Sequence, residues 1–201
     1  KRNLAAFGVM LVIFLFAVDA TIVSTAMPTI VANLGGLELY SWVFSIYMLT
    51  SALTTPLFGK LSDLCSQRRL MLIGIAIFVF GSTLCGLAPS MEALVLFRAI
   101  QGLGGGAIYA LSFIVVGILY SPAQRAKMQS LISGVWGVAS ILGPLAGGII
   151  VEFWSWHWAF FVNLPITAVA IALIVVGLKE TGQERHGHKL DMAGTVTLML
   201  A

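Results

Sequence analysis

Long apolar runs constrain this chain more than any other feature of its sequence. They lie near 5–32, 41–59, 70–88, 92–119, 128–151 and 157–178, and another begins near 192. A helix crossing about 30 Å of hydrocarbon needs roughly 20 apolar residues, and each run meets that length or nearly so. The runs are continuous rather than alternating over about ten residues, so transmembrane strands are not expected. A cleaved leader could mimic the first run, but five more follow it. Charged residues are 9% of the chain, against about a quarter in soluble domains, too few to cover a water-facing surface of this length. The expected fold class is therefore all-α, a polytopic transmembrane helical bundle. Lys1 in place of Met, and Ala201 inside an apolar run, lead us to expect a piece of a longer protein.

The positions of the charges predict an orientation. Lys1 and Arg2 precede the first run, Lys60, Arg68 and Arg69 separate the second from the third, Arg125 and Lys127 separate the fourth from the fifth, and Lys179, Arg185 and Lys189 follow the sixth. All of these fall on one side. The other side carries Glu38, Glu92, Glu152 and His157. The positive-inside rule then places the amino terminus and residues 60–69 in the cytoplasm. Residues 1–178 are expected to form a six-helix bundle, 191–201 the start of the next span. The polar stretch 179–190 between them reads equally as a linker between structural units or as an ordinary cytoplasmic loop. His186 and His188 in that stretch are read as a solvated pair rather than a metal site. Cys65 and Cys85 have neither ligand nor disulfide spacing.

Asp19 and Arg98 are the charged residues that fall well inside spans. A charge at the bilayer centre costs roughly 2.5–3.5 kcal/mol or more, so such residues face a bundle interior and either mark a pathway or pin two helices together. Asp19 lies about 21 Å in from the cytoplasmic start of its run, and Arg98 about 9 Å in from the opposite start of its own, at 1.5 Å per residue. The two depths agree, so the side chains can face one another. Arg98, Gln101, Gly105, Tyr109 and Ser112 recur at helical spacing and form one polar face. Gly102 to Ala107 fits G-x-G-x-x-A, but no strand precedes it, so close helix packing is expected there instead of a nucleotide. Ala139, Gly143 and Gly147, beside Pro144 and Gly148, form a smooth stripe against which another helix could either rock or pack tightly. We expect that partner, and the partner of Asp63, in chain beyond this sequence.

These residues resemble the major facilitator superfamily. Gly59-Lys60-Leu61-Ser62-Asp63, followed by Arg68 and Arg69, is similar to the signature of the loop after the second span, although Leu64, Ser66 and Gln67 depart from it. Gly59 is expected to let backbones approach, and Asp63 to accept hydrogen bonds from a helix N-terminus. Arg98-Ala99-Ile100-Gln101-Gly102 resembles the span-four motif. Gly143-Pro144 with Gly147-Gly148 is similar to the span-five antiporter motif, with Ala139 replacing its first glycine. Asp19-Ala20-Thr21, Ala26-Met27-Pro28, and Trp154 to Trp158 with Asn163 and Pro165 resemble the fourteen-helix drug:proton antiporters of the EmrB/QacA type.

The resemblance implies the amino-terminal half of a multidrug efflux carrier in the plasma (inner) membrane. Such a carrier exchanges amphipathic or cationic drug-like compounds for protons by alternating access. It draws on the proton gradient, needs no cofactor or metal, and binds no nucleic acid. Its partners are the substrate, protons, the bilayer and the carboxy-terminal half of the same chain. On this reading Asp19 couples to protons or cations with Arg98 as its partner, and Gln101, Tyr109, Trp42 and Tyr47 line the path. An uptake symporter for a small metabolite and a non-transporting receptor or scaffold are the alternatives. An enzyme is not expected, since the spans hold no convincing nucleophile and base pair.

Overall fold

The computed structural model describes residues 2–178, and every regular element among them is helical. The helices are α1 (Arg2–Leu34), α2 (Tyr40–Leu61), α3 (Gln67–Gly86), α4 (Met91–Leu119), α5 (Pro122–Phe153), α6 (Trp158–Phe161) and α7 (Asn163–Gly177). The expected linker and the start of the next span, with His186 and His188, lie outside the described residues.

Local chemistry sets the breaks. Gly35 and Gly36 take φ of 71° and 68°, the left-handed region that ends α1 and turns the chain through a short 3-10 segment into α2. Ser90 caps α4 by accepting a hydrogen bond from the Ala93 backbone N–H at 3.3 Å. Pro122 occupies the first turn of α5, where no N–H is needed.

Two features differ from the sequence expectation. The sixth run is two helices, α6 and α7, interrupted at Val162. Pro165 supplies the reason, because it has no N–H to donate to the Phe161 carbonyl one turn back. Five segments, α1, α3, α4, α5 and Trp158–Gly177, are long and apolar enough to cross a membrane; α2 is diluted by Ser41, Ser45, Thr50, Ser51, Thr54 and Thr55. Those hydroxyls are largely answered within the bundle. Thr50 donates to the Ile46 carbonyl at 2.9 Å, Thr55 to the Ser51 carbonyl at 2.7 Å, and Ser51 across to the Gly102 carbonyl of α4 at 2.9 Å.

The helices pack as two trios. α4 lies between α2 and α3, α1 packs against α5 and α7, and α1 meets α4 in the middle. The glycine run of α4 sets the first trio. A Cβ on Gly104 would lie 2.6 Å from the Gly74 carbonyl oxygen of α3, and one on Gly102 2.5 Å from the Tyr47 carbonyl oxygen of α2. Close helix contact is thus the use of this run. Two apolar clusters fill the bundle. One includes Val9, Phe16, Met71, Ile75, Leu111 and Ile174, the other Val23, Met27, Val43, Cys85, Leu94 and Phe160. On α1 the boundary between the clusters falls at Phe16 and Ala17, immediately before Asp19.

Candidate functional site

Asp19, Arg98, Gln101, Asn163 and Ser82 form one fully buried polar group, each 0% exposed. Four helices supply it: α1, α4, α7 and α3. Arg98 Nη1 donates to Asp19 Oδ2 at 2.6 Å and to Gln101 Oε1 at 2.8 Å. Gln101 Nε2 donates to Asp19 Oδ1 at 2.8 Å, and Asn163 Nδ2 donates to the same oxygen at 2.9 Å. Asn163 Nδ2 also reaches Ser82 Oγ at 2.9 Å, and Ser82 donates to the Phe160 carbonyl at 2.9 Å. Arg98 Nε donates to the Val43 carbonyl of α2 at 3.3 Å, and its guanidinium lies over the Tyr47 ring, 4.0 Å from the centroid.

The geometry explains how charges can sit at this depth. A buried ion pair is offset against desolvation only when further hydrogen bonds satisfy the remaining lone pairs and protons. Asp19 accepts from three different side chains, Arg98, Gln101 and Asn163. Satisfaction is nevertheless incomplete. Arg98 Nη2, Tyr47 Oη and Asn163 Oδ1 are buried without a hydrogen-bond partner. Buried polar atoms are paired in the great majority of cases, so three orphans around one cluster stand out.

A chain of rings leads from this cluster to an open cavity. Tyr47, beneath Arg98, stacks on Phe16 at a centroid distance of 5.8 Å. Phe16 in turn contacts Trp136 at 5.8 Å and Tyr109 at 6.0 Å. Phe16, Trp136 and Tyr109 line a cavity of about 280 Å³ together with Met48, Ser51 and Thr55. Its lining is aromatic and thioether surface with a few hydroxyls.

The structure brings Asp19, Arg98, Gln101 and Tyr47 together and puts Tyr109 on the cavity wall. Trp42 does not join them: it is 54% exposed on another side of α2. The α5 stripe also departs from expectation, because its partner is α1 of this same bundle. A Cβ on Gly143 would strike the Thr21 side chain, and one on Gly147 would lie 3.1 Å from Thr25 Cβ. Thr21 Oγ1 donates to the Ala139 carbonyl at 3.3 Å. The stripe thus seats α5 on α1 within a turn or two of Asp19.

The loop motif departs as well. A Cβ on Gly59 would meet nothing within 4 Å, so no backbone approaches it among the described residues. Asp63 is exposed and 4.0 Å from Lys60 Nζ; both sit at a helix end with room around them. Arg68 and Arg69 begin α3.

Sequence reasoning gave Asn163 no role and overlooked Ser82, Phe16 and Trp136. Asn163 carried a signal, an amide within an apolar run, where an unpaired polar group is costly. Ser82 carried none, since a serine in a span usually bonds its own helix.

Residues 9–197 match the Major Facilitator Superfamily. The chain is 42% identical over 194 residues to Multidrug resistance protein 3 of Bacillus subtilis, covering 96% of this chain and 38% of that protein. It is 41% identical over 201 residues to the Multidrug transporter protein MdtP of the same organism, covering 100% and 37%. It is 41% identical over 198 residues to Efflux pump FUS6 of Gibberella fujikuroi, covering 96% and 36%. The chain therefore spans under two fifths of the length of these relatives. The crystal structure of the human organic anion transporter MFSD10 (TETRAN) has the same fold, with a TM-score of 0.73 at 21% identity, over 90% of this chain and 48% of that one. A family match spanning nearly the whole chain, with relatives above 40% identity, accords with the helical bundle: the chain belongs to the major facilitator superfamily.

Proposed function

We propose that this chain is the amino-terminal bundle of a proton-coupled multidrug efflux antiporter in the plasma (inner) membrane. It exports amphipathic or cationic compounds by alternating access. One observation carries the reading: a carboxylate, Asp19, is held at the boundary of two apolar clusters by Arg98, Gln101 and Asn163, and a stack of rings links Arg98 to an aromatic cavity. Several relatives are named as multidrug transporters or efflux pumps, which supports the direction and the substrate class.

The chemistry follows from that arrangement. When Asp19 is ionised, Arg98 and the two amides are pinned to it. A proton on Asp19 removes the anion that holds Arg98, so the pull of the guanidinium on α1 weakens. A cationic substrate in the cavity reaches Asp19 only when the Phe16 and Tyr47 rings between them part, and it then competes for the same anion. The two ligands are thereby linked through one carboxylate, which is the requirement of exchange: each shifts the population of states that the other prefers. The seat of α5 on α1 at Thr21 and Thr25 lies close enough to feel that shift. Rocking of this bundle against the other half about a site near the midplane would complete the cycle.

Whole-cell accumulation of a fluorescent lipophilic cation tests this reading. Cells making the intact transporter should hold less dye than controls, and a protonophore that leaves ATP intact should erase the difference. Unchanged export after collapse of the gradient would refute proton coupling; higher accumulation than in controls would refute export.

The orientation is tested separately. Cys65 is exposed in the turn between α2 and α3, and Cys85 is buried. In a Cys85→Ser background, Cys65 should resist a membrane-impermeant maleimide in intact cells and react after lysis. Leu37→Cys, added in a Cys65→Ser, Cys85→Ser background, should react in intact cells, since Leu37 is exposed between α1 and α2. The reverse pattern would invert the orientation.

A further inference from the structure

Two rings stand between the aromatic cavity and the buried carboxylate. α1 contributes Phe16 alone to the cavity's lining. Phe16 lies three residues before Asp19, about 4.5 Å along the helix axis and within about 60° of the same face. From α2 the cavity takes Met48, Ser51, Ala52 and Thr55, which follow Tyr47 toward the end of the bundle that carries residues 60–69. The cavity is thus on that side of the Asp19–Arg98 pair. The rings of Phe16 and Tyr47 lie stacked across the way from one to the other, 5.8 Å apart at 29°.

The two rings are held differently. Tyr47 is fully buried and carries the Arg98 guanidinium on its face, 4.0 Å from the centroid, a contact made stronger by desolvation. Its backbone is pressed against α4, where a Cβ on Gly102 would lie 2.5 Å from the Tyr47 carbonyl oxygen. Moving Tyr47 means moving α2 or uncovering a buried charge. Phe16 is tied by ring contacts alone, to Tyr47, Tyr109 and Trp136, and is 6% exposed. On α4 its edge rests on Gly105, which makes room by lacking a side chain: a Cβ there would lie 2.8 Å from Phe16 Cε2. The cavity beside it, about 280 Å³, offers space for a displaced ring.

We propose that Phe16 is the access-determining residue of the exchange: its ring, seated against Gly105 and Tyr47, closes the way from the cavity to Asp19, and it alone swings aside while Tyr47 stays fixed. This deepens the function proposed above and rests on the reading of Asp19 as the group that substrate and proton share. Contact with Asp19 then depends on an occupant that displaces the ring, and an empty cavity leaves the carboxylate paired with Arg98. The displaced ring gives up contacts with three aromatic neighbours, and an occupant with apolar surface replaces them, so that the exchange of one for the other costs little.

The test measures access to Asp19 with neither substrate nor gradient present. Failure of the export assay would refute the reading of the carrier and leave this result standing. Purified intact transporter is treated with a water-soluble cationic carbodiimide, to whose central carbon a carboxyl group adds, and the acylurea that forms is mapped by mass spectrometry. Glu38 and Glu92 are exposed and serve as references within the same chain. In the wild type Asp19 should react far more slowly than either. Phe16→Ala should raise the Asp19 rate relative to theirs roughly tenfold or more, because deleting a packed ring leaves an opening that the surroundings fill only in part. Phe16→Met, whose flexible chain fills irregular gaps, should stay near the wild type. Gly105→Ala decides the matter if Phe16→Ala does not fold. Its Cβ meets the far end of the ring rather than any backbone, so it should displace the ring and speed labelling by a smaller factor. Wild-type Asp19 reacting as fast as Glu38 would overturn the proposal. So would an unchanged rate in Phe16→Ala, or in Gly105→Ala where Phe16→Ala does not fold. Equal acceleration in Phe16→Met and Phe16→Ala would also overturn it, since it would mark a loosened bundle rather than an opened passage.

Discussion

Asp19→Asn should abolish gradient-driven export of cationic compounds and lower stability. The carboxylate accepts from Arg98 at 2.6 Å with both side chains fully buried, so its loss leaves a guanidinium without a counter-charge. Removing one member of a buried pair typically costs about 3–5 kcal/mol. Arg98→Ala should be similarly costly, because it leaves the anion with two amide donors alone. The double variant, Asp19→Asn with Arg98→Ala, should lose less than the sum of the two, since partners in direct contact are not additive. Thermal unfolding of purified full-length protein gives the stability half of the cycle, and proton release on addition of substrate gives the coupling half. Asn163→Leu tests the third donor. It strips Asp19 Oδ1 and Ser82 Oγ of one hydrogen bond each, and should cost about 1–3 kcal/mol and slow export without ending it. Strict additivity of the Asp19 and Arg98 effects would show that the pair does not act as a unit. Wild-type export and proton release from Asp19→Asn would reduce Asp19 to a structural polar contact.

Gly81→Val should be as damaging as loss of the ion pair, though it touches no charge. A Cβ at Gly81 would lie 2.5 Å from both the backbone N and the Cα of Gln101. Neither atom is the end of a flexible side chain, so α3 and α4 must part. Overpacking of this kind costs about 1–3 kcal/mol and more where the obstacle is backbone. The displacement also reaches the site. Ser82 follows Gly81 on α3, and Cys85 one turn further donates to Gln101 Oε1 at 3.6 Å. The variant should therefore melt lower and couple poorly. Gly117→Ala is the matched control on α4, because a Cβ there meets nothing within 4 Å. It should be neutral or gain up to about 1 kcal/mol from helix propensity. Equal melting points for Gly81→Val and wild type would show that α3 and α4 are not in the close contact described.

Both predictions bear on how the site is held together, and they divide what could be read in advance from what could not. The helical class, the approximate spans and the role of the α4 glycines followed from sequence, because in hydrocarbon each is nearly forced, and the depths of Asp19 and Arg98 allowed the pairing that the structure shows. A backbone must satisfy itself internally, a buried charge must find its opposite, and a run of glycines offers helices close approach. The break of the last span at Val162 was within reach too, since Pro165 withholds a known hydrogen bond.

Other features depended on how the helices pack against one another. Asn163 lies 144 residues from Asp19, and nothing in the spacing says that α7 turns that amide toward α1. The α5 stripe was legible as a packing surface, but its occupant, α1 at Thr21 and Thr25, was not, because smoothness does not name a partner. Trp42 and Tyr47 are both aromatic residues of α2, yet one is half-exposed and the other lies beneath Arg98. The sequence by itself determined which groups could not be left alone in lipid; the tertiary structure decided which groups answer them, because a hydrogen bond between distant residues depends on helix rotation to within about one residue, and that rotation is set by the sum of many packing contacts rather than by any local pattern.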